Sequence, residues 1–165
     1  KTVLRKILYS MRKIVNYKTP MTEKEHGNMR KCNIIAVLNP AADRVLMCLR
    51  RKDPYKGLLN FVGGKIRDGE AGADAAYREL AEETAITRED IILTHLMDFT
   101  YYAEDLLLEV YVGKLNKQVA VHGEENDLCW CGLDENFADA SKFAGRGNIE
   151  HIMQYIALEK EALLR

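Results

Sequence analysis

The chain has 165 residues, 47% apolar and 30% charged, which suits one domain with a real hydrophobic core. No apolar run approaches the roughly 18 residues that span a bilayer, and Arg5, Lys6, Arg12 and Lys13 interrupt the N-terminal apolar positions where a signal peptide would need continuity. Residues 1–30 carry eight Lys and Arg against two Glu, a net +6, and the remainder sixteen against twenty-three Asp and Glu, a net −7; so acidic a body excludes general binding to nucleic acid polymers, but not to phosphorylated small ligands where metal ions intervene.

Val3, Leu4, Ile7, Leu8, Met11, Ile14 and Val15 recur at helical spacing with basic residues between them, which predicts an amphipathic helix over 3–15. Such a stripe packs on its own domain or on a second subunit, which leaves a homodimer open. It could instead stand outside the native domain, with Met29 as the true start, or lie on an anionic membrane surface, the least expected of the three. Residues 17–30 read as a polar linker. The expected division is therefore an N-terminal helix and linker over 1–30 and a compact domain over 31–165.

Within that domain Cys32 to Leu38 reads as a buried strand, Asn39 to Asp43 as a turn and Arg44 to Leu49 as the returning strand. Arg50 to Gly57 is a basic loop, and Leu59 to Val62 a short strand ending in Gly63-Gly64. A helix follows over 71–84. Ile91 to Tyr102 and Leu106 to Leu115 are long strands around a turn at Ala103 to Asp105. Leu128 to Cys131 is a further strand, and Asn148 to Leu164 a terminal helix with Ile149, Ile152, Met153, Ile156 and Leu163 inward. This mixture implies an α/β fold, a mixed sheet between helices. Cys32, Cys48, Cys129 and Cys131 match no CxxC pair or zinc spacing, and read as free thiols of a cytoplasmic protein.

On a helix turning 100° per residue, Glu79, Glu82 and Glu83 share one face. Ala73, Tyr77, Leu80 and Thr84 form another face, which can pack on the sheet; Ala75 and Ala76 leave room above the carboxylates. A solvated acidic face is the ordinary explanation of such a cluster. Against it, no Lys or Arg follows four residues after Glu79 or Glu82 to offset the charge, and a glycine-rich loop, Gly63-Gly64-Lys65 through Gly69-Glu70, precedes the helix. Clustered carboxylates suit hard cations such as Mg²⁺ or Mn²⁺, and those ions suit pyrophosphate chemistry.

The stretch Gly64-x5-Glu70-x7-Arg78-Glu79-Leu80-x-Glu82-Glu83-x-Ala85-Ile86 resembles the Nudix box, G-x5-E-x7-R-E-U-x-E-E-x-G-U, with the spacing matched throughout. Ala85 departs from the pattern glycine, at a cost of order 1 kcal/mol if the position needs a positive φ. Val62 stands where many relatives have Pro before Gly-Gly. The resemblance implies a Nudix-type α/β/α sandwich. It implies that Glu79, Glu82 and Glu83 bind Mg²⁺ or Mn²⁺ with the Gly63 carbonyl. It further implies that Glu79 acts as general base, that Arg78 orients the glutamates and that Glu70 pairs within the loop–helix motif. Lys65 approaches phosphate or covers the loop. Glu124 and Glu125 are candidates for a further acid from a later loop, or form a solvated turn.

For the substrate, Arg50, Arg51, Lys52 and Lys56 face a polyphosphate or merely solvent. Phe143 to Asn148 is similar in placement to the base-reading segment of MutT-like enzymes, in which Asn148 reads a purine edge, caps the last helix, or both. The resulting expectation is a MutT-like hydrolase of a nucleoside triphosphate, an oxidised purine such as 8-oxo-dGTP included, to monophosphate and pyrophosphate. Tyr101 and Tyr102 instead bring to mind dinucleoside polyphosphate hydrolases, if they do not simply pack. ADP-ribose is a further alternative, and a non-catalytic nucleotide-binding sensor module is the alternative of another class.

Overall fold

The computed structural model describes residues 29–123 and 125–163. The helix expected over 3–15, the linker up to residue 28 and Glu124 lie outside them. Six strands form one mixed sheet: β1 (Arg30–Leu38), β2 (Arg44–Leu49), β3 (Leu59–Asn60), β4 (Thr94–Tyr101), β5 (Leu106–Lys114) and β6 (Asp127–Gly132). Helix α1 (Gly72–Thr84) lies between β3 and β4, and α2 (Asn148–Leu163) closes the described chain.

β1 is the central strand. It runs parallel to β5, from Arg30 opposite Leu106 to Leu38 opposite Lys114, and β5 pairs antiparallel with β4 through a register shift between His95 and Met97. Because both faces of β1 are covered, Ile34 through Leu38 are buried without alternation. β2 meets β1 only where Leu38 faces Val45. It then splays away, pairing with β6 along its length and with β3 at its far end. Residues 62–65 fill the wedge between β1 and β2 through bridges of Val62 to Ile35 and Lys65 to Cys32. The Gly63-Gly64 turn therefore sits where the sheet divides.

Each face of the sheet carries one helix. Ile34, Ala36, Leu38, Val45, Met47, Val110 and Val112 pack with Ile149, Ile152, Met153 and Ile156 of α2. Ile35, Val37, Leu46, Cys48 and Val62 pack with Ala76 and Leu80 of α1 and with Ile86, Ile91 and Leu115. The architecture is the α/β/α sandwich expected.

The packing face of α1 differs from the one the helical wheel suggested. Ala75, Ala76, Leu80 and Thr84 are buried, while Ala73 is exposed. Ala75 and Ala76 thus leave no room above the carboxylates; they are the contact itself. Their short side chains let the helix backbone approach the sheet, which carries the flanking Glu79 and Glu83 down toward Gly63-Gly64. The Thr84 hydroxyl, with no exposure, donates to the Leu80 carbonyl at 2.6 Å and accepts from the Ile86 N–H at 3.1 Å.

The helix ends at Ala85, whose φ of 64° and ψ of 9° are left-handed, with its N–H on the Ala81 carbonyl at 3.0 Å. This is where a Cβ is unwelcome, and Ala85→Gly is expected to raise the urea-unfolding stability by about 0.5–1 kcal/mol, the relief of the left-handed strain less the extra chain entropy of glycine. A lowered midpoint in that variant would mean the strain has been absorbed by the loop.

Candidate active site

Arg78 organises the site. Its Nε and Nη2 donate to the two oxygens of Glu70, both at 2.8 Å, and Nη2 also donates to the Lys65 carbonyl at 2.9 Å. Nη1 donates to Glu79 Oε1 at 2.6 Å and to Glu82 Oε2 at 3.3 Å. One guanidinium therefore fastens the loop after Gly64 to two of the three clustered glutamates. The Arg78 fork, together with the Arg67 N–H, holds the Glu70 carboxyl down at about 2. The same pairings hold Arg78 above its ordinary value. The third glutamate, Glu83, accepts the Gly63 N–H at 2.9 Å. Burial pushes its carboxyl above the usual range; the Gly63 N–H pulls the other way, Glu79 and Glu125 push it further up, and Arg50 draws it down.

Among the described residues, no three His, Cys, Asp or Glu side chains enclose an ion as they stand; Arg78 holds Glu79 and Glu82 while Gly63 holds Glu83. The donor set still fits a hard cation, being all oxygen with one oxygen of Glu83 free of Gly63. Gly64 fits it too: a Cβ there would fall on the Glu79 carboxylate, so the position is kept open beside that group. Gly63, at φ +142°, is equally closed to side chains, since a Cβ would strike the Asn33 backbone.

The expected substrate contacts divide. Arg50 lies near enough to Glu83 to affect its titration, and its Nε is buried without a partner. Arg51 is committed elsewhere: its Nη2 pairs with Asp127 at 2.5 Å, and its backbone N–H donates to Asn126 Oδ1 at 3.1 Å. Lys65 contributes its carbonyl to Arg78, and its side chain is exposed. Asn148 and Tyr101 come together, the amide donating to the phenol oxygen at 3.2 Å. Phe99 adjoins them, with ring centroids 6.3 Å from Tyr101 and 5.9 Å from His151. Tyr102 turns outward at 63% exposure, so the two tyrosines do not form one platform.

Sequence reasoning missed Asn33. It lies inside the apolar stretch of β1, Cys32 to Leu38, at 1% exposure, exchanging hydrogen bonds with Gly64: its N–H to the Gly64 carbonyl at 2.8 Å, its Oδ1 from the Gly64 N–H at 3.2 Å. A single amide within Cys-Asn-Ile-Ile-Ala was the available signal, because a buried polar side chain needs a reason.

The chain belongs to the Nudix family of pyrophosphohydrolases: the NUDIX domain matches residues 29–152. The oxidized purine nucleoside triphosphate hydrolase of Mus musculus is 30% identical to it over 116 residues, 67% of this chain and 71% of that one. An Ap4A hydrolase of C. elegans, solved as a binary complex, superposes with a TM-score of 0.65 at 19% identity, over 79% of this chain and 98% of that one. The NUDIX domain of Shewanella oneidensis NrtR, complexed with ADP ribose, does so with 0.62 at 19%, over 86% and 99%. At such identities the structural likenesses speak for the fold alone. No helix of the described residues is long and apolar enough to cross a membrane.

Proposed function

We propose that the protein hydrolyses a nucleoside triphosphate, an oxidised purine such as 8-oxo-dGTP by preference, to the monophosphate and pyrophosphate. Glu79, Glu82, Glu83 and the Gly63 carbonyl would hold Mg²⁺ or Mn²⁺. The observation that carries this reading is the Arg78 clamp, which gathers the loop and two glutamates beside the open position at Gly64. A sensor that only binds nucleotide has no need of the complete set. The mouse relative supports the substrate class.

When bound, a divalent ion supplies charge neutralisation on phosphoryl oxygens and activation of water. The chain's own part follows from its contacts. Glu79 has one oxygen held by Arg78, which leaves the other to accept the proton of the attacking water. Arg50, whose charge is felt at Glu83, would meet phosphate charge with its guanidinium. Glu125, paired with Lys52 at 3.2 Å, would be the further acid from the loop before β6. The Tyr101–Asn148 pair with Phe99 and His151 offers aromatic surface and an amide to a purine. The partner is a small nucleotide in the cytoplasm.

Product analysis tests the reading, using nucleoside triphosphates, dinucleoside polyphosphates and ADP-ribose with Mg²⁺ or Mn²⁺. A purine triphosphate should give monophosphate and pyrophosphate, and Glu82→Gln should cut kcat/KM by at least about a hundredfold. Inorganic phosphate as the sole small product would overturn the bond assigned. Turnover of dinucleoside polyphosphates alone would replace the substrate.

A further inference from the structure

We infer that Asn33 is a positioning residue: its side chain fixes the direction of the Gly63 carbonyl by holding the N–H of the same peptide group, and through that carbonyl it shapes the seat of the cation. The inference rests on the hydrolase reading above for the cation itself. β1 and residues 62–66 lie antiparallel in one register, with Val62 opposite Ile35 and Lys65 opposite Cys32. The Ile35 N–H donates to the Val62 carbonyl at 2.9 Å, the Asn33 N–H to the Gly64 carbonyl at 2.8 Å, and the Ile66 N–H to the Lys31 carbonyl at 3.0 Å. In a regular antiparallel ladder the residue opposite returns the bond, backbone to backbone. Gly64 departs from this rule: its N–H goes to Asn33 Oδ1, at 3.2 Å.

A peptide group is planar, and in the trans form its C=O and N–H point in opposite directions. The Gly63–Gly64 peptide is trans, so the Gly63 oxygen is directed away from the Asn33 amide. The two ends of this short segment are fixed independently, the Gly63 N–H on Glu83 at 2.9 Å and the Gly64 carbonyl on the Asn33 N–H. Between them, the one peptide plane can still turn about ψ of Gly63 and φ of Gly64, and two glycines oppose that turn less than any other pair. The bond to Asn33 Oδ1 opposes it. Without that acceptor the Gly64 N–H can take the backbone carbonyl of residue 33, which lies beside Gly63, and the Gly63 carbonyl swings with it.

Stability alone does not explain an amide at this position. Asn33 is buried, and its Nδ2 meets no hydrogen-bond acceptor. A buried donor without a partner lowers stability, and an apolar side chain of the same shape avoids that loss. The strand does not depend on this side chain either, since β1 pairs with β5 along its whole length. What the amide does provide is its oxygen, aimed at the one peptide whose carbonyl the cation would share with Glu79, Glu82 and Glu83. The loss of Asn33 should therefore be read in metal binding, not in melting.

Two variants of the full chain test this: Asn33→Leu, which has the shape of the amide without its acceptor, and Asn33→Asp, which keeps Oδ1. The Gly63 carbonyl carbon is followed by nuclear magnetic resonance during Mg²⁺ titration, Mn²⁺ binding by electron paramagnetic resonance, and turnover by steady-state kinetics on the preferred nucleoside triphosphate. In the parent chain the Gly63 carbonyl resonance should move with Mg²⁺. In Asn33→Leu that response should vanish, Mn²⁺ affinity and kcat should each fall about tenfold, nucleotide KM should stay within about twofold, and Tm should hold or rise. Asn33→Asp should keep the carbonyl response and bind Mn²⁺ at least as tightly as the parent. A Gly63 carbonyl that ignores Mg²⁺ in the parent overturns the inference, as does parental Mn²⁺ affinity in Asn33→Leu or an equal loss in both variants. The metal arms separate the two proposals. A chain inert toward every pyrophosphate, whose Gly63 response to Mg²⁺ still needs the Asn33 acceptor, loses the hydrolase reading and keeps this one; an active chain indifferent to Asn33→Leu does the reverse.

Discussion

Arg78→Ala is expected to lower Tm by several degrees and to abolish turnover, more than any other single change outside the glutamates. The guanidinium makes five hydrogen bonds to Glu70, Glu79, Glu82 and the Lys65 carbonyl. Arg78, Glu70 and Glu79 are only 18%, 18% and 15% exposed, so water replaces those bonds poorly once the cation is gone. Arg78→Lys should not rescue, because a point charge cannot fill the planar fork on Glu70. The pH dependence follows from the depressed Glu70 carboxyl. Its stabilising contribution is fully present above about 4.5 and is lost as pH falls toward about 2. Arg78→Ala should remove that segment of the acid-unfolding curve. An unchanged curve would show that Glu70 has another cation.

Gly64→Ala is expected to divide function from stability: kcat/KM should fall by about a hundredfold to a thousandfold while thermal unfolding barely moves. The new Cβ lands on the Glu79 carboxylate. The backbone cannot retreat, because Asn33 holds both the N–H and the carbonyl of Gly64. Nor can the helix retreat, since Ala75, Ala76 and Leu80 are fully buried against the sheet. The flexible Glu79 side chain is what must give; this risks at most its one bond to Arg78, while the four other bonds of that guanidinium remain, and it removes the proposed base from its place. Kinetics beside thermal unfolding by circular dichroism decide the matter; near-normal turnover would mean Glu79 is not needed where it stands.

Much of this was legible in the chain. β2 has the bounds expected of it, Arg44–Leu49, and the inward residues of α2 were readable from helical spacing. The strand limits that moved did so for tertiary reasons. β1 starts at Arg30, before the apolar run, because backbone pairing with β5 continues past it. β4 starts at Thr94, after Ile91 forms a lone bridge to Leu115 and the Leu93 N–H is taken by the Tyr77 hydroxyl. The resemblance implied that Glu70 pairs within the loop–helix motif without naming its partner; that partner is Arg78, on the same contiguous loop and helix. Asn33 under Gly64, and Arg51 facing Asp127, depend on which strands become neighbours, and a single sequence carries no marker of that.

The parallel pairing of β1 with β5 also governs the order in which the molecule can be made. Arg30 finds its neighbour at Leu106, so the centre of the sheet stays open until most of the chain has left the ribosome. Such distant closure slows folding and leaves the apolar Ile34–Leu38 stretch bare during synthesis. The acidic helix is translated well before the floor it rests on is complete, and the face that carries Glu79, Glu82 and Glu83 is thus among the last parts of the protein to mature.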